Sequence, residues 1–416
     1  MTKLRIAIGA FAVAILASGA GPAAQGGATK AFTGARLFDG TDSAIVENAT
    51  IVVQNGRVVA AGPSASVQVP AGAEQISLAG KTVIPGLINA HGHVNDAARD
   101  LRVYAAYGVT TVFSLGDEQP PVFAARASQN QPGLDRARVF VAGPVLAPTS
   151  PEDARAKVAE VAAMQVDFVK IRVDDNLGTS QKMAPEIYRA VIDEAHRRNM
   201  KVAVHLFYLS DAKAVLDAGA DFVAHSVRDL DVDAAFIDSL RKTGVCYCPT
   251  LMREVSTFVY ESTPDFFSDP FFLAHANKEW MTTLQQPDRQ AAMKASPAAQ
   301  RYKAGLEVAS RNVKQLSDAG IPIAMGTDTG PVGRFQGFFE LMELERMVAA
   351  GLTPRQALLS ATRDAARCME VEADLGTIQA GRWADFVVLD ADPLANIANI
   401  RRIDSVWIAG NRVNGN

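Results

Sequence analysis

Eight short β-branched runs, separated by segments of helical period, constrain this chain more than any other feature of its 416 residues. They are Thr82 to Asn89, Val109 to Ser114, Val139 to Gly143, Phe168 to Val173, Lys201 to His205, Phe222 to His225, Val245 to Cys248 and Ile321 to Gly326. Strands alternating with helices make βα units and a parallel sheet, since a parallel crossover needs room for a helix. Eight such units predict an α/β fold, a closed (β/α)8 TIM barrel. Helix stops stand where that reading requires them: Gly219, Gly244, Gly320 and Gly351 lie just past periodic segments, and Thr353-Pro354 offers a cap and a first turn. An open doubly wound sheet is the alternative, but no Gly-x-Gly-x-x-Gly follows the first strand and no Walker A loop is present.

The flanks read differently. Residues 32 to 83 alternate apolar runs with turn signals such as Asn55-Gly56, and the same texture returns at Ala384 to Leu389 and Ser405 to Ile408. This predicts small antiparallel sheet regions whose two halves join as one β-sandwich. The expected division is a signal peptide over 1–24, the N-terminal part of the sandwich over 28–80, the barrel over 81–370 and the C-terminal part of the sandwich over 371–416. The signal reading rests on Lys3 and Arg5, the apolar run Ile6 to Ala17 and the small residues Ser18 to Ala24. That run falls short of the roughly 20 residues that span a bilayer. The mature chain is therefore expected to be exported, periplasmic or extracellular, with no stable membrane insertion. Cysteines number three, and this odd count predicts no disulfide framework, with Cys246 and Cys248 packed in the core. A net charge of −4 gives no basic field for nucleic acid, so a small-molecule substrate is the expected partner, and assembly into a homo-oligomer stays open.

Ligand-type side chains gather at the C-terminal ends of the predicted strands, which in a barrel converge on one mouth. His91 and His93 follow the first strand, Lys170 lies in the fourth, His205 and His225 end the fifth and sixth, and Asp328 follows the eighth. Of six histidines in the chain, four stand at strand ends, a concentration that singly placed structural histidines would not produce. In an extended segment residues i and i+2 project the same way, so His91 and His93 can grip one ion, and Gly92 lets the backbone come close. Lys170 as an ammonium would be repelled by divalent cations. As a neutral amine it can add CO2 and become a carbamate, an anion able to bridge two metals.

The run Pro85-Gly86-Leu87-Ile88-Asn89-Ala90-His91-Gly92-His93 resembles the first-strand signature of the amidohydrolase superfamily. The likeness continues in Phe168-Val169-Lys170-Ile171, Val204-His205, Ala224-His225-Ser226 and Gly326-Thr327-Asp328, and in Gly376-Thr377-Ile378 and Ala380-Gly381-Arg382-Trp383-Ala384-Asp385. Within that superfamily the chain looks most like the imidazolonepropionase-related, Xaa-Pro dipeptidase (prolidase) and ochratoxin-hydrolase-like branch. The resemblance implies two divalent metal ions, one held by His91, His93 and Asp328 and one by His205 and His225, with carboxylated Lys170 between them. Zinc is the expected metal, with manganese and cobalt as alternatives. It further implies amide (C–N) hydrolysis of an N-acyl amino acid or dipeptide-like substrate by metal-activated hydroxide, with Asp328 as the catalytic proton carrier.

For substrate binding the sequence offers Arg172, two residues past Lys170 on the same strand face; Arg228, in the loop after His225; and Tyr208, three residues past His205. The arginine forks suit a carboxylate, and the phenol a carbonyl. The long connection 251–300, rich in aromatics, reads either as a lid or as a packed helical insertion; His275 falls within it, and His196 is expected to face solvent. Rival readings are hydrolysis of a cyclic amide or lactone, deamination, and a non-catalytic exported binding protein. Asp328-Thr329-Gly330 also spells an aspartic-protease triplet, but a second D-T-G or D-S-G is absent.

Overall fold

All residues of Leu87–Gly92 and Val109–Ser114 are buried, as parallel strands must be when helices cover one face and packed side chains the other. The computed structural model describes residues 29–413, so the signal-peptide expectation lies outside the described residues. In chain order the strands are β1 (Lys30–Leu37), β2 (Val46–Gln54), β3 (Arg57–Pro63), β4 (Glu74–Ser77), β5 (Thr82–Pro85), β6 (Leu87–Gly92), β7 (Val109–Ser114), β8 (Arg138–Val141), β9 (Phe168–Arg172), β10 (Lys201–His205), β11 (Phe222–Ala224), β12 (Cys246–Cys248), β13 (Phe386–Leu389), β14 (Ile403–Ile408) and β15 (Asn411–Arg412).

The chain folds as a (β/α)8 barrel with a sheet built from its two ends. Parallel ladders join β6, β7 and β8, and β9 to β12. Single parallel bridges close the ring: Leu146 to Ile171, Tyr247 to Ile323, and Gly92 to Thr329. The eighth stave, residues 321–326, thus joins its neighbours without a ladder. The first predicted run is in fact two strands divided at Gly86. There a Cβ would stand 2.1 Å from Thr110 Oγ1, so only glycine lets β5 leave the end sheet and β6 enter the barrel.

The expected β-sandwich of antiparallel strands needs correction. The ends form one hydrogen-bonded sheet of eight strands, in which β1 runs parallel to both β4 and β5. In a flat sheet β1 and β14, three places apart, would be about 14 Å from each other. Yet the Phe32 and Trp407 ring centroids are 4.7 Å apart and those of Phe32 and Phe386 5.0 Å, so the sheet curls over a core of its own.

The cysteine expectation holds for packing, since Cys246 and Cys248 are both buried in the core, and fails for bonding. Cys246 and Cys368, 122 residues apart, form a disulfide that ties the start of β12 to the helix Arg363–Cys368, while Cys248 is free and buried. An odd count leaves one thiol over without forbidding a pair. Reduction, or Cys368→Ser, is expected to cost about 2–5 kcal/mol of stability. Thermal melts with and without reductant measure this, and coincident curves would refute a stabilising bridge.

Segment 251–300 folds as a packed helical insertion. Tyr260, Phe267, Phe272 and Leu284 are buried, and the Phe272 ring lies 4.9 Å from those of both Phe335 and Phe338. Tyr107 donates a hydrogen bond to the Phe272 carbonyl at 2.9 Å, fixing the insertion to the barrel wall.

Candidate metal centre

Each side chain that the strand-end pattern singled out for a metal arrives at the same mouth. His91 ends β6, Lys170 sits in the middle of β9 and His205 ends β10. His225 follows β11, and Asp328 follows the eighth stave. Asp328 Oδ1 lies 2.9 Å from His93 Nε2 and 3.4 Å from His91 Nε2, and Lys170 Nζ is 3.3 Å from His91 Nε2. The His91 and His225 ring centroids are 4.5 Å apart, and those of His205 and His225 4.2 Å. His91, His225 and Asp328 can bring one donor atom each within 4.8 Å of one another.

The donor set fits a cation. His91 Nδ1, His205 Nε2 and His225 Nε2 are buried without a hydrogen-bond partner, an arrangement that is costly unless something accepts their lone pairs. His205 Nε2 does lie 3.1 Å from Asp174 Oδ2, but outside hydrogen-bond alignment. Burial holds the His91 and His225 imidazoles well below their ordinary range and His205 down to about 3, so all three are neutral and able to ligate. Burial likewise lowers the Lys170 amine to about 8. Burial opposes ionisation of Asp328, but the charge of Arg334, the hydrogen bond from His93 and the charge of His91 keep it well below the usual carboxylate range.

The backbone at the mouth is held under strain. His225, Thr250 and Asp328 have φ of 101°, 49° and 57°, a region that non-glycine residues enter mainly where surrounding contacts compel it. For His225 the compelling contact is Thr250, whose Oγ1 is 2.7 Å from His225 Nδ1 and orients the ring. For Asp328 it is a buried network beneath. Glu340 Oε1 accepts from Asn89, Thr327 and Thr329 at 2.6, 2.7 and 2.6 Å, while Asn89 Oδ1 accepts from the His91 amide at 2.9 Å. Sequence reasoning missed Thr250, Asn89 and Glu340. Asn89 closes the first predicted run and Thr250 stands just past the seventh, a strand-end signal that could have found both, whereas Glu340 carries none.

The residues expected to bind substrate are placed differently. Arg172 Nε is spent on Asp174 at 2.7 Å. Tyr208 turns its hydroxyl to Asp175 at 2.9 Å. Arg228 is fully buried, donating to the carbonyls of Leu206 and Ser226, with Nε 3.1 Å from Glu254. Two arginines the sequence did not single out stand nearer the centre: Arg334, paired with Asp328 Oδ2, and Arg253, whose Nε is 4.0 Å from the same oxygen. Of the remaining histidines, His196 is exposed and pairs with Asp221 at 2.9 Å, and His275 packs its ring against Tyr107.

Residues 82–413 match the family model described as the amidohydrolase family. An imidazolonepropionase from Streptomyces griseus is 22% identical over 91% of this chain and 95% of its own length. Among solved structures, a candidate prolidase from Bifidobacterium longum superposes with a TM-score of 0.77 at 27% identity, covering 93% of this chain and 94% of that one. A Xaa-Pro dipeptidase with methionine bound in its active site gives 0.75 at 20% identity, covering 92% and 99%.

Proposed function

The chain belongs to the amidohydrolase family, and from that premise we propose a binuclear metal-dependent hydrolase that cleaves the amide bond of N-acyl amino acids or dipeptide-like substrates. The observation that carries this reading is a buried cluster in which His91 Nε2 faces Lys170 and Asp328, while His205 and His225, each with Nε2 lacking a hydrogen bond, pack their rings beside it. His91, His93 and Asp328 would hold one ion, His205 and His225 the other, and Lys170, as its carbamate, would serve both. Zinc suits such nitrogen and oxygen donors.

When bound, the metal pair would supply Lewis-acid polarisation of a carbonyl and acidification of a water. The protein's own part falls chiefly to Asp328. Its ionised carboxylate, held by its pairing with Arg334, takes a proton from the attacking water as the water oxygen bonds to the carbonyl carbon. As the C–N bond breaks, the same carboxyl returns the proton to the leaving nitrogen. Neutral imidazoles cannot be the proton source here, because burial keeps them unprotonated. The strained φ at Asp328 and His225 and the Glu340 network hold these groups in place before substrate arrives, so little reorganisation is left for the reaction itself.

Elemental analysis of active protein is expected to find about two divalent metals per chain. Chelation should abolish release of amino acid from N-acyl amino acids or dipeptides, and added metal should restore it. Activity that survives complete metal removal would overturn the reading, as would a preparation that is fully active with one metal. Export is part of the proposal, on the strength of Lys3, Arg5 and the apolar run after them. N-terminal sequencing of exported material should begin between residues 21 and 25; a start at Met1 would contradict cleavage.

A further inference from the structure

Beside Asp328 the structure buries more positive than negative charge. Glu254, fully buried, lies 3.1 Å from Arg228 Nε and 3.2 Å from Arg253 Nη1, while Arg253 Nε and Arg334 both face Asp328 Oδ2. Three guanidiniums thus share two carboxylates. Several donors are idle: Arg253 Nε, Arg228 Nε and Arg228 Nη2 have no hydrogen-bond partner. An arginine is always charged, so this surplus cannot be relieved by losing a proton, and a buried charge without a counter-ion is costly. An anion from outside would offset it.

Of the three, Arg334 is the most open to such an anion. Arg228 is enclosed between Phe207 and Tyr302. Arg334 leaves 18% of its side chain exposed, and its Nε is held by Ser256 Oγ at 3.1 Å, which aims the fork at Asp328. Arg253 stacks on Tyr302, 4.2 Å from the ring centroid, and keeps its Nε 4.0 Å from the same Asp328 oxygen that Arg334 faces. We propose that Arg334 and Arg253 form the carboxylate-recognition pair of the substrate site. They would seat the free carboxylate of an N-acyl amino acid or dipeptide so that its scissile amide lies against Asp328. This rests on the amide-hydrolase reading above and puts the two guanidiniums that face Asp328 in place of Arg172, which pairs with Asp174 instead, and Arg228, which is enclosed, as the expected carboxylate partners. Planar bidentate forks recognise a carboxylate by shape as well as charge, so a neutral or esterified substrate forfeits both.

The test separates recognition from turnover. The probe is 2-benzyl-4-oxopentanoate, the ketone isostere of N-acetylphenylalanine that has no C–N bond to cleave, compared with its methyl ester by calorimetric titration of the metal-loaded enzyme. Wild type is expected to bind the acid about tenfold or more tighter than the ester. Arg334→Met and Arg253→Met should each bring the two affinities within about threefold. Arg172→Met should keep the wild-type preference. Arg334→Lys, which keeps the charge but loses the fork, should fall between, and it serves as the reporter if a methionine variant fails to retain its fold or metal. Equal binding of acid and ester by wild type, or a preference that survives in the folded Arg334 and Arg253 variants, would overturn the proposal. A preference that depends on both arginines, in an enzyme that hydrolyses no amide, would keep this inference and reject the proposed reaction.

Discussion

Asp328→Asn is expected to lower kcat by ~10² to 10⁴ while the barrel stays folded. The substitution removes the proton acceptor and the negative charge of a proposed metal ligand, but leaves an oxygen in the same place. Asp328 has φ 57°, and asparagine is among the few residues that enter the left-handed region readily, so the backbone that presents the side chain is not disturbed. The amide oxygen can still accept from His93 Nε2 as Oδ1 does now. Arg334 loses its anionic partner but keeps Ser256 and partial exposure to solvent, so the cost should stay below the about 3–5 kcal/mol of breaking a fully buried pair. A circular-dichroism melt, metal content and kcat measured on one preparation separate these effects. A folded, metal-loaded variant with near-normal turnover would move the proton carrier elsewhere, with Asp174, 3.1 Å from His205, the next buried carboxylate to examine.

The sequence revealed the centre because its side chains sit at a repeated structural position, the end of a β-branched run. Where the run was regular the reading matched to the residue: β7 is Val109–Ser114 and β10 is Lys201–His205. It failed where tertiary contact overrode local pattern. The Gly86 break depends on Thr110, a residue of the neighbouring strand, and the eighth stave joins its neighbours through single bridges that no periodicity encodes. The Cys246–Cys368 pair depends on a chain segment that brings two residues 122 positions apart together at the opposite, N-terminal side of β12. Arg253, Arg334 and Glu340 escaped for a related reason. They lie on the loops and helices beyond the seventh and eighth staves, where spacing carries no signal, and only the closed ring brings them to Asp328 and its network.

Lys170→Ala is expected to remove most activity and to leave fewer than two tightly held metals. An ordinary lysine ammonium is poorly served here: Nζ is buried, and its hydrogen-bond contact among the described residues is the ring nitrogen of His91 at 3.3 Å. Burial brings the amine down to about 8, so about a tenth of it is neutral near pH 7. That fraction can add CO2 at Nζ, forming an N–C bond, releasing one proton and leaving a carbamate anion among the neutral histidines. Alanine cannot do this, and the carboxylates whose charge reaches Lys170 have partners of their own, Asp328 in Arg334 and Glu118 in the Gly116 and Gly143 amides. Losing a group that merely orients a metal ligand costs about 10- to 100-fold. Losing a ligand itself should cost roughly 10²-fold or more in kcat/KM. Small carboxylates such as acetate, which fit the space vacated by the butylammonium chain, should restore part of the activity in a concentration-dependent way. ¹³C-labelled bicarbonate should give a carbamate resonance in the metal-loaded wild type that is missing from the variant. An unmodified Lys170 amine in a metal-loaded crystal structure would end the carbamate assignment, and full activity of Lys170→Ala would remove the residue from the centre altogether.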